Sequence, residues 1–376
     1  CCFKRNLTKN EIKVAQLSGY VSEHGAYHHG EASLQGTIIN LAQNFTGSNN
    51  VNLLEPKGQF GTRLLGGKDS AQPRYIFTKL ATLTQLLFNK MDNHLYTYLN
   101  DDGMKVEPKY YAPILPLILI NGCQGIGTGW STEIPCYNPL DIIRNIKCLM
   151  KDKKPREMIP WYRDFKGTIE KMDDGKVERY ITTGIYKQLS DTTIEITELP
   201  IKTWTDKYKE FLETILIDSR KNKTKQYINN YRTYCSDTNV HFIIRMPKLI
   251  LKNLLEKKDK NGVPLFVSTF KLQSKISISN MNLYDRNRKI RHFNNVNDIL
   301  TYYYEGRVAL YKVRKDFILD DLRKQLEQVS AKIKFIMEFI VGKIKVTNKS
   351  KTDIIEQLKK RGYPQLGNDN SFEKYE

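Results

Sequence analysis

The sequence predicts an α+β protein of several domains: a helix-turn-helix with a glycine-rich wing, a mixed α/β region, and a long helical arm. Three observations carry this. Apolar residues recur at helical spacing in two short stretches near the N-terminus, with a Gly-containing turn before the second. Alternating runs that suit strands follow in the middle of the chain. A heptad seam of nearly three repeats lies toward the end. The 376 residues exceed one ordinary compact domain, so two or three domains are expected. With 40% apolar and 27% charged residues, the chain is globular, not disordered.

The elements follow in order. Thr8 to Gln16 reads as a helix, with Ile12, Val14 and Leu17 as apolar positions. Gly30-Glu31-Ala32-Ser33 opens a second helix, in which Leu34, Ile38, Leu41 and Phe45 recur at helical spacing. This pair suggests a helix-turn-helix. Glu55 to Pro73 holds Gly58, Gly61, Gly66 and Gly67 and reads as a loop or hairpin wing. Tyr75 to Phe88 is compatible with helix. Pro135 to Pro139 is a plausible boundary, followed by a helix from Leu140 to Met150. Thr192 to Ile196 and Val240 to Met246 alternate as strands do. A helical run from near residue 297 carries Leu322, Leu326, Val329, Ile333, Ile336 and Ile340, spaced 4, 3, 4, 3 and 4. That seam suits either a coiled-coil arm or a long helix packed on a globular core. The domains expected are 1–135, 136–290 and 291–376, with a polar, loose tail after Gly362.

Composition excludes several classes. No apolar run reaches eighteen residues, so no membrane span is expected. The chain begins Cys-Cys-Phe-Lys-Arg without Met or an apolar h-region. No signal peptide is expected, and the sequence reads as a piece of a longer chain. The six cysteines form no CxxC pair, which suits a reducing compartment. The net charge of +19 points to a polyanion partner, most often nucleic acid, or to general solubility. Residues 136–290 hold 31 basic against 19 acidic side chains, so the middle third carries most of the field.

Three stretches could carry chemistry. The first runs from Glu23 to Glu31 and is dense in imidazole and carboxylate. His24 and His28 stand four apart, which would suit zinc on a helix. A glycine turn entering a helix would instead present free amides to a phosphate, and a plain polar cap is equally compatible. No Lys or Arg occurs from Val14 to Pro56. A DNA-contacting helix here would rely on amides and on Tyr27, His28, His29, Ser33, Gln35 and Asn44, which track the backbone rather than the bases.

The second stretch is Gly58 to Tyr75, GQFGTRLLGGKDSAQPRY. Its glycines let a backbone approach phosphates, and Arg63, Lys68 and Arg74 add charge. Tyr75 follows Arg74 directly. A tyrosine can attack a phosphodiester, and an adjacent arginine can stabilise the phenolate and the charge building on phosphorus. Tyr75 is also one of 22 tyrosines, most of which serve core or surface. The third stretch, Asn121 to Trp130, holds Gly125-Ile126-Gly127-Thr128-Gly129 but no GxGxxG and no Walker lysine, so a nucleotide cradle is not expected. An apolar residue on a glycine tip can wedge between base pairs and kink a duplex, or can simply sit exposed on a tight turn.

These blocks occur together and in order: KVAQLSGYVSEHGAYHHGEASL, GQFGTRLLGGKDSAQPRYIFT and PILPLILINGCQGIGTGWSTEIP. Together they closely resemble the breakage-reunion core of eukaryotic type IIA DNA topoisomerases, over essentially the whole chain past residue 360. The resemblance implies that residues 1–135 form a winged-helix domain, 136–290 a tower domain, and 291–376 a coiled-coil arm and the start of a C-gate. It implies that Tyr75 attacks one strand and holds its 5′ end, that Arg74 supports the transition state, and that Ile126 intercalates. Tyr27, His28, His29, Ser33, Arg5, Lys68 and Trp204 would contact DNA. The partners implied are double-stranded DNA and a second copy of the enzyme, forming a homodimer, without a membrane, in the nucleus. Mg²⁺ and ATP would be bound outside this chain, by TOPRIM and ATPase domains that it does not contain; the chain has no Asp-x-Asp. Position 124 is Gln where relatives commonly carry Glu. The reading from another class is a non-catalytic winged-helix protein that binds and bends DNA.

Overall fold

The computed structural model describes residues 1–172, 179–216, 227–347 and 349–365. The chain divides into two compact units, Cys1–Arg307 and Val308–Glu376. Most of the tail expected to be loose, from residue 366 onward, lies outside the described residues.

The first unit opens with β1 (Ile12–Lys13), which runs directly into α1 (Val14–His24) and then α2 (Glu31–Ala42). Strands β2 (Leu54–Lys57) and β3 (Phe77–Leu80) complete a three-stranded antiparallel sheet with β3 in the centre. Leu34, Ile38 and Ala42 share one face of α2 and bury against Val14, Leu17, Leu54, Phe60, Ile76 and Leu80. Each of the Val, Leu, Ile and Phe side chains contributes about 1.5–3 kcal/mol when fully buried. The structure departs from the expected helices at two places. Residues 2–9 are turns, and Ile12 and Lys13 pair with Thr78 and Phe77. The stretch from Tyr75 to Phe88 splits into β3 and the short helix α3 (Thr82–Leu87). Its first half alternates in burial, with Ile76 and Thr78 inward and Phe77 outward, and strand pairing on both edges overrides helical compatibility.

Two hairpins follow. β4 (Tyr98–Asp101) pairs with β5 (Met104–Pro108), and after helix α4 (Leu117–Ile120), β6 (Cys123–Gly127) pairs with β7 (Trp130–Ile134). Helix α5 (Pro139–Leu149) starts where expected. Asn138 accepts from the Leu140 amide and Pro139 occupies the first turn. Strands β8 (Thr168–Met172) and β9 (Arg179–Thr183) lead to a four-stranded antiparallel sheet. Its members are β10 (Ile185–Ser190), β11 (Thr193–Glu198), β12 (Asn230–Thr233) and β13 (Phe242–Arg245), with α6 (Thr205–Thr214) following β11. The two strands expected from alternation, β11 and β13, lie side by side, with Ile194 and Ile196 opposite Ile244 and Phe242. All four are buried, together with residues of α7 (Lys248–Glu256) and α8 (Leu265–Thr269). Strand β14 (Gln273–Ser277) joins β9 and β8, and β15 (Asn282–Tyr284) pairs with β16 (Ile290–His292). A separate core gathers Leu119, Ile120, Ile134, Tyr137, Ile142, Tyr180, Ile276, Phe293 and Leu300. It draws on residues either side of Pro135 and of residue 290.

Helix α9 (Val296–Ile340) begins in the first unit, where Val296, Ile299 and Leu300 are buried. In the second unit the heptad residues Leu322, Leu326, Val329, Ile333, Ile336 and Ile340 are all exposed. Helix α10 (Lys351–Lys360) is closed by a capping box between Ser350 and Asp353. It packs Leu358 with Ile344, Tyr363 and Phe335 in a small cluster. No helix among the described residues is long and apolar enough to cross a membrane.

Candidate functional site

Tyr75 stands at the end of the glycine-rich loop, two residues before β3. The chain on either side of it is tied to the start of α1. The Ala15 amide donates to the Pro73 carbonyl at 3.1 Å and the Val14 amide to the Ile76 carbonyl at 3.0 Å. Ile76 is buried, while Tyr75, still in the turn, is 66% exposed. The Arg74 guanidinium lies 4.9 Å from the centre of the Tyr75 ring. A cation over an aromatic face is attracted by the ring quadrupole, which brings the two expected catalytic side chains into one exposed pair.

The preceding loop is a closed knot. Gly61, Gly66 and Gly67 adopt φ of +96°, +64° and +83°, values that favour glycine. The Thr62 amide and hydroxyl donate to the Asp69 carboxylate at 2.9 and 2.5 Å. The Ala71 amide donates to the Gln59 carbonyl at 2.9 Å. Lys68 and Arg74 are exposed on this loop. Arg63 is not. It is buried against Glu198 and donates to the Leu199 carbonyl at 3.2 Å. Its charge is therefore spent inside the protein.

The imidazole-rich segment is a turn. α1 ends at His24, so His24 and His28 do not share a helical face. Among the described residues no group of three or more His, Cys, Asp or Glu could hold a metal ion. His28 Nε2 lies 3.1 Å from Asp101 Oδ2 on the β4–β5 hairpin. The rings of Tyr27 and His29 meet edge to face at 5.5 Å. Gly30 caps α2 without a side-chain bond, and the exposed Ser33 donates its amide to the Gly30 carbonyl at 3.0 Å. Arg5 stacks on Tyr20 of α1 at 4.7 Å.

Ile126 is 91% exposed near the tip of the β6–β7 hairpin, opposite Ser131. Gly129, at φ +76°, makes the two-residue turn between Gly127 and Trp130. The hairpin is braced from below. Asn280 donates to Ser131 Oγ at 2.7 Å, Asn282 to the Ser131 carbonyl at 2.9 Å, and the Glu133 amide to the Asn280 carbonyl at 2.8 Å. Trp204 caps α6 and packs edge to face on Phe45 at 5.9 Å. It also lines a groove with Lys202, Lys207, Lys271 and Lys275. The supports Asp101, Asn280, Asn282 and Glu198 carry no signal in the sequence, because each acts on a residue far away along the chain.

With this geometry in place, the comparison with known proteins is specific. A family model for the DNA gyrase/topoisomerase IV A subunit matches residues 1–370. The chain belongs to this family. Within it, the chain is 46% identical over 376 residues to DNA topoisomerase 2 of Plasmodium falciparum, covering 100% of this chain and 26% of that protein. It is 47% identical over 363 residues to DNA topoisomerase 2-alpha of Mus musculus, covering 96% and 23%. The fold superposes on the crystal structure of the Plasmodium falciparum topoisomerase II DNA-binding, cleavage and re-ligation domain with a TM-score of 0.88. That match is 46% identical and covers 98% of this chain and 48% of the other. The chain thus spans about a quarter of the length of these curated relatives.

Proposed function

We propose that this chain is the strand-cleaving part of an ATP-dependent type II DNA topoisomerase that acts on double-stranded DNA as a homodimer in the nucleus. One observation carries the chemistry: an exposed tyrosine, stacked on an arginine, at the end of a rigid glycine-rich loop in a chain with this ancestry. The Tyr75 phenolic oxygen attacks a backbone phosphorus and gives up its proton. The P–O3′ bond breaks, the leaving O3′ takes up a proton, and a 5′-phosphotyrosine link and a free 3′-hydroxyl result. Resealing is the reverse, and the phosphodiester energy is conserved in the tyrosine link. Arg74 stabilises charge on the phenolate and on the pentavalent phosphorus.

In this reading residues 1–135 form the winged-helix domain, with the first turn of α2, Tyr27, His28, His29 and Ser33 along the cleaved backbone. Lys68 and Arg5 add cationic contacts. Ile126 enters the base stack and kinks the duplex. Residues 136–290 form the tower, whose lysine-lined groove beside Trp204 holds a flanking arm of the bent DNA. The exposed heptad seam of residues 322–340 supports an arm that pairs with another helix. The family resemblance supports placing the Mg²⁺ and ATP sites of the enzyme outside this chain.

The test is covalency. A protein carrying this chain together with the segments its relatives have beyond it is incubated with supercoiled DNA and Mg²⁺, then denatured with detergent. Tyrosine-linked DNA is expected, and Tyr75→Phe abolishes it. Tight, salt-dependent binding with no adduct in either protein would favour the architectural reading instead.

A further inference from the structure

We propose that Glu198 is a positioning residue for the nucleophile, acting through Arg63, so that the four-stranded sheet sets where Tyr75 stands on DNA. The proposal rests on Tyr75 being the nucleophile. Its ground is the way the glycine-rich loop is held from outside. Arg63 and Glu198 are 4% and 1% exposed, and their side chains pair directly. The Glu198 carboxylate is held on all sides. Oε1 also accepts from the Leu199 amide at 2.8 Å, and Oε2 accepts from the Lys166 amide at 3.2 Å. Arg63 meets a carboxylate that cannot turn.

Further contacts converge on the same stretch of loop. The first two amides of α6 point at it. The Thr205 amide donates to the Arg63 carbonyl at 3.4 Å and the Asp206 amide to the Leu64 carbonyl at 3.1 Å. These are amides that a helix leaves without an internal partner. The Trp204 indole covers Gly66 and Gly47 so closely that a methyl group added at Gly66 would collide with it. From the other side, Gln43, just past the end of α2, donates to the Phe60 and Gly67 carbonyls at 2.9 and 3.1 Å. The loop is thus clamped between α2 and the β11–α6 junction. It is stiff within, through Thr62, Asp69 and the bond between Ala71 and Gln59. From Ala71 three residues lead to Tyr75, whose amide donates to the Gln72 carbonyl at 2.9 Å. A stiff loop clamped at its far end transmits the position of the clamp to the nucleophile.

A buried ion pair is a poor way to gain stability, because desolvation offsets most of the attraction. Its advantage is directional. A single nitrogen of the planar guanidinium, Nη2, donates both to the fixed carboxylate and to the Leu199 carbonyl and so holds one register, whereas an apolar contact can slide. Reacting groups misplaced by about 1 Å can lose roughly a hundredfold in rate.

The experiment separates binding from chemistry. Glu198→Gln keeps the shape and the acceptor oxygen and removes the charge. DNA affinity is measured by fluorescence anisotropy, and the rate of adduct formation by quenching in detergent, in a protein that also carries the relatives' further segments. The expected result is affinity within about threefold and an adduct rate lower by about tenfold to a hundredfold. Arg63→Gln should give the same loss, and the double variant no more than either alone, because the pair acts as a unit. Thermal melting checks that each variant folds. Should Glu198→Gln fail to fold, Arg63→Lys decides. It keeps the buried cation but replaces the rigid planar guanidinium with an ammonium on a flexible stem, and should slow adduct formation at unchanged affinity. A wild-type adduct rate in a folded variant, or equal losses in affinity and rate, overturns the proposal. Tyr75→Phe runs alongside: an adduct there would sink the reading of the nucleophile itself, whatever Glu198 does.

Discussion

Replacing Ile126 with alanine separates a wedge from an ordinary surface residue. The side chain is 91% exposed and lies on a two-stranded hairpin held through Ser131 and Glu133, not through Ile126. Truncation therefore removes almost no folded-state contact. Stability should change by less than about 0.5 kcal/mol, or about 1–2 °C in melting temperature. On DNA the balance differs. Ile→Ala removes three carbons, and burial is worth about 0.8 kcal/mol per carbon. If the tip is buried between base pairs, roughly 2 kcal/mol of the bent complex is lost, or about thirtyfold in its stability. The assay is energy transfer between dyes at the two ends of a duplex titrated with the chain, set beside a thermal melt. The variant should melt like the parent and leave the duplex largely straight. Unchanged bending, or a fall in melting temperature of several degrees, would refute the assignment of Ile126 as an exposed wedge.

Two further outcomes follow from buried groups. Asp92 and Arg307 form a buried pair at 2.7 Å, and Arg307 also donates to the Ala112 carbonyl at 2.7 Å. Asp92→Ala removes the carboxylate facing a buried guanidinium and should cost about 3 kcal/mol or more, read as a melting temperature lower by roughly 6 °C; a loss under about 1 kcal/mol would contradict it. Burial pushes the Cys136 thiol up to about 12 from an ordinary value of 9.0. Between those values the unfolded chain loses this proton while the folded protein keeps it. The stability associated with the neutral thiol is complete below pH 9 and declines toward pH 12. Denaturant melts from pH 8 upward should show a steeper alkaline loss for the parent than for Cys136→Ala; identical slopes would refute the assignment.

Local features of the fold were legible where a residue's own neighbours decide its state. Alternation marked β11 and β13, the Pro135–Pro139 boundary marked the start of α5, and helical spacing marked α2 and α9. At 75–88 the same reading failed. Residues that a helix would tolerate were drawn into β3 by partners on both sides, at Lys57 and Lys13.

The sequence by itself determined the family, through three motif blocks in order, and with it singled out the adjacent Arg74 and Tyr75 and the glycine tip bearing Ile126 as candidates. These are properties of contiguous residues, whose backbone freedom and face are set within a few positions. Only the tertiary structure decided the fate of the three loop cations. Lys68 and Arg74 face solvent, while Arg63 is drawn inside by a carboxylate 135 residues away. His28 likewise meets Asp101 across 73 residues. Charge, size and propensity are alike for an arginine that binds phosphate and one that anchors a loop. What separates them is which distant group chain folding brings within hydrogen-bonding distance, and no local pattern encodes that.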